Sequence, residues 1–211
     1  MDLHNIRTDY NKSNIDFKNL DNNPINFFIK WFEDALSINK EQANSCVLST
    51  VNSNNKPESR VVLLKSVNDS GFVFFTNYNS QKSINIKNNN HVSINFFWHE
   101  LERQVRISGT AKKMDEKSSD EYFASRPRKS QIGAWISQQS KEIPLDYNFK
   151  DELDSLNTKF SSKKIDRPSY WGGYIIHAYK IEFWQGRPSR LHDRILYEFN
   201  DDLWRKKRLS P

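Results

Sequence analysis

His91-Val-Ser-Ile-Asn-Phe-Phe-Trp98, His99-Glu-Leu101 and Glu102-Arg-Gln-Val-Arg-Ile-Ser-Gly-Thr-Ala-Lys-Lys-Met114 follow one another without a break, and their pairing decides the fold. In the last run Gln104, Arg106, Ser108 and Thr110 alternate with Val105, Ile107 and Gly109. A period of two marks a strand with one wet and one buried face, because successive side chains point to opposite sides. Two such runs across a three-residue connection predict an antiparallel hairpin.

The pattern continues outward in both directions. Upstream, Cys46–Val51, Ser59–Ser66 and Phe72–Thr76 read as strands, separated by the turns Asn52-Ser-Asn-Asn-Lys-Pro57 and Asn68-Asp-Ser-Gly71. Asn79–Asn88 reads as a short helix. Residues 24–38 form an amphipathic helix, with Asn23 as N-cap, Pro24 at N1, and Phe28, Trp31, Phe32, Ala35 and Leu36 at helical spacing. Residues 1–23, polar and Asn-rich, read as an extended arm. Downstream, Asp115 caps a helix to Ser125, and Pro127 turns the chain at Arg126 because it disfavours helical geometry there. Helices are expected over Gln131–Ser137 and 147–160, the latter with Phe149, Leu153, Leu156 and Phe160 on one face. Strands follow over Tyr174–Gln185, Arg194–Phe199 and Leu203–Leu209. Antiparallel strands at short spacing with few helices between them predict a mainly β (α+β) fold, a β-barrel edged by helices in one domain over residues 24–211.

Composition narrows the function. The 211 residues, 13% of them aromatic with six Trp and fourteen Phe, can build a core and argue against disorder. The net charge of +6 suits anionic partners: nucleic acid, a membrane surface or phosphorylated small molecules. Cys46 is the single cysteine, so neither an intrachain disulfide nor a multi-thiolate metal site is open to the chain; it reads as a small buried hydrophobe. The first residues lack the apolar segment of a secretory signal, and no stretch has transmembrane length, so a cytoplasmic protein is expected. Gly-rich phosphate loops, HExxH and Gly-x-Ser-x-Gly are missing, and histidines at 4, 91, 99, 177 and 192 show no metal-ligand spacing.

Three basic clusters remain. In Arg60-Val-Val-Leu-Leu-Lys65 the two cations, five apart, point to opposite faces of a regular strand. Either a bulge intervenes, or they serve different anions, or both are solvated strand ends. In Tyr122-Phe-Ala-Ser-Arg126-Pro-Arg-Lys-Ser130, Tyr122 and Arg126 share a helical face, and Ser130 stands where the next helix would begin, with free amides suited to an anion. A capping serine and a surface arginine is the plain alternative. In Arg190-Leu-His-Asp-Arg194, Arg190, His192 and Arg194 lie on one face of any extended segment, which is costly unless an anion sits among them. A basic edge strand balanced by Asp193 and Glu198 is the other reading.

Together with Phe74-Phe-Thr-Asn77, His99-Glu-Leu-Glu-Arg-Gln-Val105, Ser130-Gln-Ile-Gly-Ala-Trp135 and Phe183-Trp-Gln-Gly186, these strings resemble in order and spacing the pyridoxine/pyridoxamine 5′-phosphate oxidase family, from about Arg7 to Pro211. The resemblance implies an FMN-binding split β-barrel, a homodimer with FMN in clefts between the chains. It implies oxidation of pyridoxamine 5′-phosphate or pyridoxine 5′-phosphate to pyridoxal 5′-phosphate by O2. Position by position, Arg60 and Lys82 match FMN phosphate partners. Val61, Val62, Leu63, Leu64, Lys65, Phe75, Thr76, Gln81, Gln104, Gln139, Ser140, Trp184 and Arg194 match further FMN contacts, some donated across the dimer. Lys65, Tyr122, Arg126 and Ser130 match a clamp on the substrate phosphate, Arg190 and His192 the groups over the substrate ring, and Arg7 and Tyr10 an arm that can close. Two positions depart from the family pattern: Phe75 stands where Tyr is usual, and Gln81 where Arg is usual. One lost charge-assisted hydrogen bond costs at most about 1.5–3 kcal/mol, so weaker FMN binding with intact chemistry is expected. A nucleic-acid-binding barrel and an FMN-binding reductase without a vitamin substrate are the rivals; the cations sit singly beside turns rather than in a stripe, which speaks against the first.

Overall fold

The computed structural model describes residues 1–6, 8–161 and 163–211. Helix α1 (Pro24–Ile38) opens as expected, Asn23 Oδ1 accepting from the Ile25 amide. Then come β1 (Ser45–Val51), β2 (Pro57–Leu63), β3 (Ser66–Asn68), β4 (Gly71–Asn77), α2 (Gln81–Asn88), β5 (His91–Trp98) and β6 (Arg103–Lys113). The second half holds α3 (Glu116–Ser125), α4 (Arg128–Ile136), α5 (Lys150–Phe160), β7 (Trp171–Gln185), β8 (Asp193–Asn200) and β9 (Leu203–Arg208). Among the described residues no helix is long and apolar enough to cross a membrane.

All the strand pairs are antiparallel, in the order β2-β1-β5-β6-β7-β4-β3, and β8 and β9 continue from β7. The expected β5–β6 hairpin forms, with β6 starting at Arg103 rather than Glu102, and Val105, Ile107, Gly109 and Ala111 are buried while their neighbours are not. β7 organises the rest. It pairs with β6 over Tyr174–Gln185, but with β4 only over Trp171–Ile176 and with β8 only over Lys180–Gln185. Between these halves the β6–β7 register slips after Ser108, and such a bulge bends the sheet. This is the split barrel, an antiparallel sheet with helices α1 to α5 around it.

The main core lies between α1 and the sheet, where Phe28, Phe72, Phe96, Ile107, Ile176 and Phe183 are fully buried. Cys46 is buried there as expected, and burial pushes its thiol up to about 12. Ile15 joins this core and Phe17 and Leu20 pack on it, so part of the N-terminal arm is anchored. A second cluster, Phe123, Ile132, Ala134, Ile165 and Trp171, gathers α3 and α4, with Leu153, Leu156 and Phe160 of α5 against it.

Three expectations need correction. The Ser59–Ser66 run is not one strand: β2 ends at Leu63, where the Leu64 and Lys65 amides turn to Asn44 and Val73 carbonyls. The helix expected from Gln131 begins at Arg128, and the Ser130 amide donates to Pro127 O at 2.8 Å, so it is not free. The segment around Arg190 is not extended: Pro188–Arg190 is a single 3-10 turn, and Ser189 and Arg190 both have positive φ (56° and 61°). The strand begins only at Asp193, so Arg190, His192 and Arg194 do not share a strand face.

Candidate functional site

A cavity of about 370 Å³ opens where β2, β4, α2, α3 and α4 meet. Its walls include Val61, Val62, Leu63, Lys65, Phe75, Thr76, Lys82, Tyr122, Arg126, Ser130 and Gln139, which the sequence had singled out from five separate segments. Tyr122 and Arg126, one turn apart at the end of α3, face it together. The break after Leu63 lets Lys65 line it beside Val61, although the two cations of that string do not share a strand face.

One wall is a flat aromatic stack. The Phe75 and Tyr122 rings lie 3.8 Å apart at 17°, and Trp171 continues the stack at 5.6 Å from Phe75 and 13°. The Arg126 guanidinium lies over the Trp171 ring at 4.4 Å. Among the described residues only two buried side-chain atoms lack a hydrogen-bond partner, Asn95 Oδ1 and Arg126 Nη1. A buried donor without an acceptor costs about 1–3 kcal/mol, more when charged, so Arg126 Nη1 calls for an anion. Burial lowers the Arg126 pKa while Tyr122 raises it, and burial pushes the Tyr122 phenol up, which keeps it a neutral donor.

Beside this wall, Lys82 is 8% exposed, and its Nζ donates to Thr76 Oγ1 (3.2 Å), Ser80 Oγ (3.1 Å) and Gln139 Oε1 (3.1 Å). Burial first, and then nearby Arg60, lower its pKa to about 8. A buried cation in the first turn of a helix, at the positive end of the dipole, is unfavourable without an anion. Ser140, at φ 72°, accepts from the Gln81 amide at the start of α2, and so ties the segment after α4 to this corner. Arg60 does not line the cavity: its Nη1 donates to Leu48 O, Thr50 Oγ1 and Glu58 O. A larger hollow of about 730 Å³ lies next door, but Asp151 and Glu152 line it, which disfavours an anion.

The remaining expected residues stand at the far end of β7. Trp184 is 13 positions from Trp171, on the order of 40 Å of strand at about 3.3 Å per residue. There the Trp184 and His192 rings lie 4.6 Å apart, and Tyr10 packs on both at 5.6 and 5.9 Å. Gly186 permits this contact, since a Cβ there would lie 2.6 Å from Tyr10 Cβ and Cγ. The Arg187 amide donates to His192 Nδ1 at 3.1 Å, which leaves the proton on Nε2. Burial, then Arg190 and Arg194, lower the His192 pKa. Arg194 is ion-paired with Glu182, as is Arg106. Cross-strand register places Phe97, Gln104, Trp184 and Arg194 in one row. Arg7 lies outside the described residues.

Sequence reasoning missed Trp171, which floors the aromatic stack, and Glu58 and Asn85 behind Arg60. Gly172-Gly173 carried a signal for the first, since glycine inside a strand marks a close approach: a Cβ on Gly173 would lie 2.9 Å from the Phe75 ring. Nothing local marks the other two, whose partners are 27 positions apart.

Comparison with known proteins identifies the family. The family model described as pyridoxamine 5′-phosphate oxidase matches residues 32–155, and one described as the pyridoxine 5′-phosphate oxidase C-terminal dimerisation region matches residues 171–211. Pyridoxine/pyridoxamine 5′-phosphate oxidase of Actinobacillus succinogenes is 49% identical over 211 residues, covering 100% of both chains. Pyridoxine/pyridoxamine 5′-phosphate oxidase 2 of Hydrogenovibrio crunogenus is 47% identical, covering 100% of this chain and 99% of its own. The crystal structure of PhzG from Burkholderia lata, in complex with tetrahydrophenazine-1-carboxylic acid, shares the fold with a TM-score of 0.89 at 24% identity, covering 97% of this chain and 100% of that one. The chain belongs to the pyridoxamine 5′-phosphate oxidase family.

Proposed function

We propose that this chain oxidises pyridoxamine 5′-phosphate and pyridoxine 5′-phosphate to pyridoxal 5′-phosphate, with FMN as cofactor and O2 as acceptor, releasing H2O2 and, from the amine, ammonia. The observation that carries the reading is Arg126 Nη1, a buried donor without a partner, set over a flat aromatic wall in a cavity that also holds Lys65, Tyr122 and Ser130. Such a site suits a phosphate joined to a flat ring. A reductase with no vitamin substrate has no use for this clamp.

When bound, FMN supplies the hydride acceptor and the route to O2. The protein binds and orients. Lys82 and Arg60, with Thr76, Gln139, Gln81 and Ser140 around them, fit the cofactor phosphate, because they gather two cations in a partly desolvated corner. Val61, Val62, Leu63 and Phe75 give the apolar side of the cleft, while Leu64, expected with them, is buried in the main core. Lys65, Tyr122, Arg126 and Ser130 hold the substrate phosphate, a remote group whose binding fixes the reacting carbon. Arg190 and His192 cover the substrate ring, His192 offering its Nε2 proton. Tyr10 belongs to an arm that can close over it.

These groups meet only across two copies. Val47, Val61, Leu63 and Phe97 expose apolar side chains (37%, 66%, 43% and 49%), and register puts Val61, Val47, Asn95, Phe97, Gln104 and Trp184 on one face of the sheet. A two-fold pairing on that face lays the cavity of one copy against Gln104, Trp184, Arg190, His192 and Arg194 of the other. We read residues 24–211 as one domain with residues 1–23 as its arm, in a soluble cytoplasmic homodimer without nucleic-acid or membrane partners.

The test is oxygen uptake by the purified protein with each phosphorylated vitamer, with and without added FMN. Uptake that needs FMN and a 5′-phosphate supports the reading. A protein that gains no flavin spectrum on adding FMN, or consumes no oxygen with either vitamer, overturns it.

A further inference from the structure

Behind Arg60 stands a carboxylate that an anion site has no need of. Arg60 Nη1 is pinned by Leu48 O (3.3 Å), Thr50 Oγ1 (2.7 Å) and the main-chain Glu58 O (3.0 Å), so its plane is fixed without the Glu58 side chain. Glu58 Oε2 lies 3.4 Å from Arg60 Nη2, long for a charge-assisted bond, which is usually about 2.7–2.9 Å. Two amides hold the carboxylate independently: Asn52 Nδ2 donates to Oε1 and Asn85 Nδ2 to Oε2, each at 2.9 Å. Asn85, 1% exposed, is itself held by Gln81 Nε2 at 2.9 Å and also donates to Thr50 Oγ1 at 3.0 Å. The two asparagines, ahead of Arg60, hold the Glu58 carboxyl below its ordinary range, so it is charged at neutral pH. Among the described residues the partners of Lys82 are all neutral, and the Gln81 amide, engaged with Asn85, brings no charge to this corner. Arg60 and Lys82 against Glu58 leave one net positive charge to face a phosphate dianion.

We propose that Glu58 is a counter-charge, set in place by the Gln81–Asn85 amide pair, that weakens the hold of Arg60 and Lys82 on the cofactor phosphate. This rests on the FMN reading above. The role is electrostatic rather than orienting, because Arg60 is already fixed by three oxygens that do not belong to the carboxylate. The chain therefore holds its flavin in exchange with the free pool, and releases it when the phosphate is absent from the ligand or screened by salt.

Titration of the full-length apoprotein with FMN and with riboflavin, followed by flavin fluorescence, tests this in wild type, Glu58→Gln and Glu58→Ala. Both variants should bind FMN roughly tenfold tighter, with riboflavin affinity unchanged and a steeper loss of FMN affinity with salt. Weaker or unchanged FMN binding in Glu58→Gln and Glu58→Ala overturns the proposal, as does an equal shift for riboflavin, which has no phosphate. Thermal melts keep the variants comparable, and Glu58→Gln preserves shape on a partly exposed strand. If wild type binds neither flavin, the FMN reading itself fails, a distinct result.

Discussion

Trp171 and Trp184 stand near opposite ends of β7, and their surroundings are built on different principles. Around Trp171 the cations outnumber their partners: Arg126 Nη1 is buried without an acceptor and Lys82 rests on neutral oxygens. Around Trp184 the cations that brace the loop each have a carboxylate partner. Asp193 takes the Ile15 amide and pairs with Arg187 and Arg208, and Glu182 pairs with Arg106 and Arg194. The first end has the unmet cationic donors that suit an anion. The second is a braced loop, anchored to the N-terminal arm, that presents Arg190 and His192. On the proposed reading neither alone has both a phosphate clamp and a group to cover the reacting carbon.

If the second end acts on the reacting carbon, its loss strikes turnover. Arg190→Ala should lower kcat by about 10²-fold or more, since a small misplacement of the reacting atoms costs that much. On the proposed reading the first end holds a phosphate that does not change during reaction. Arg126→Ala should therefore raise KM by roughly 10- to 150-fold with kcat nearly intact, the equivalent of a charged hydrogen bond of about 1.5–3 kcal/mol. The reverse division in steady-state kinetics would exchange the roles of the two ends.

The two ends also differ in their response to pH. Lys82, with its pKa lowered to about 8, binds an anion only when protonated. FMN affinity of the apoprotein should fall as pH rises through 8, by up to about tenfold per unit, and Lys82→Met should flatten this dependence. A pH-independent affinity between 7 and 9 would remove Lys82 from the phosphate site. At the other end His192 is held neutral, with its pKa below the unfolded value of about 6.5. Its folded state binds fewer protons than the unfolded one in that window, so its contribution is complete above about 6.5 and is lost as pH falls through the lowered pKa. His192→Asn should remove this small acid loss, seen as a flatter melting temperature below pH 6.5.

How much of this was legible in the sequence follows the same division. The β5–β6 hairpin, α1 with its Asn23 cap and α3 with its Asp115 cap could be read because each rests on local periodicity or a neighbouring capping residue. Tyr122 and Arg126 could be paired because a helical turn joins them. The positive φ at Ser189 and Arg190 could not, because neither residue type announces a left-handed backbone. The early start of α4 at Arg128 was hidden by Pro127, which reads as a boundary but serves as the N-cap. Glu58 escaped because its meaning comes from Asn85, on another element. That the expected site falls into two halves at opposite ends of one strand required the register of β7.

The most direct test of two half-sites that complete each other between copies is to mix the two disabled proteins. Arg126→Ala and Arg190→Ala, dissociated and reassociated at equal concentration, form hybrid dimers in which one cleft carries both defects and the other carries none. With random pairing, activity should rise to about a quarter of wild type at substrate levels where each parent is nearly inactive. If both ends served one cleft within a single chain, every cleft in the mixture would keep one defect, and activity no higher than the average of the parents would contradict the account.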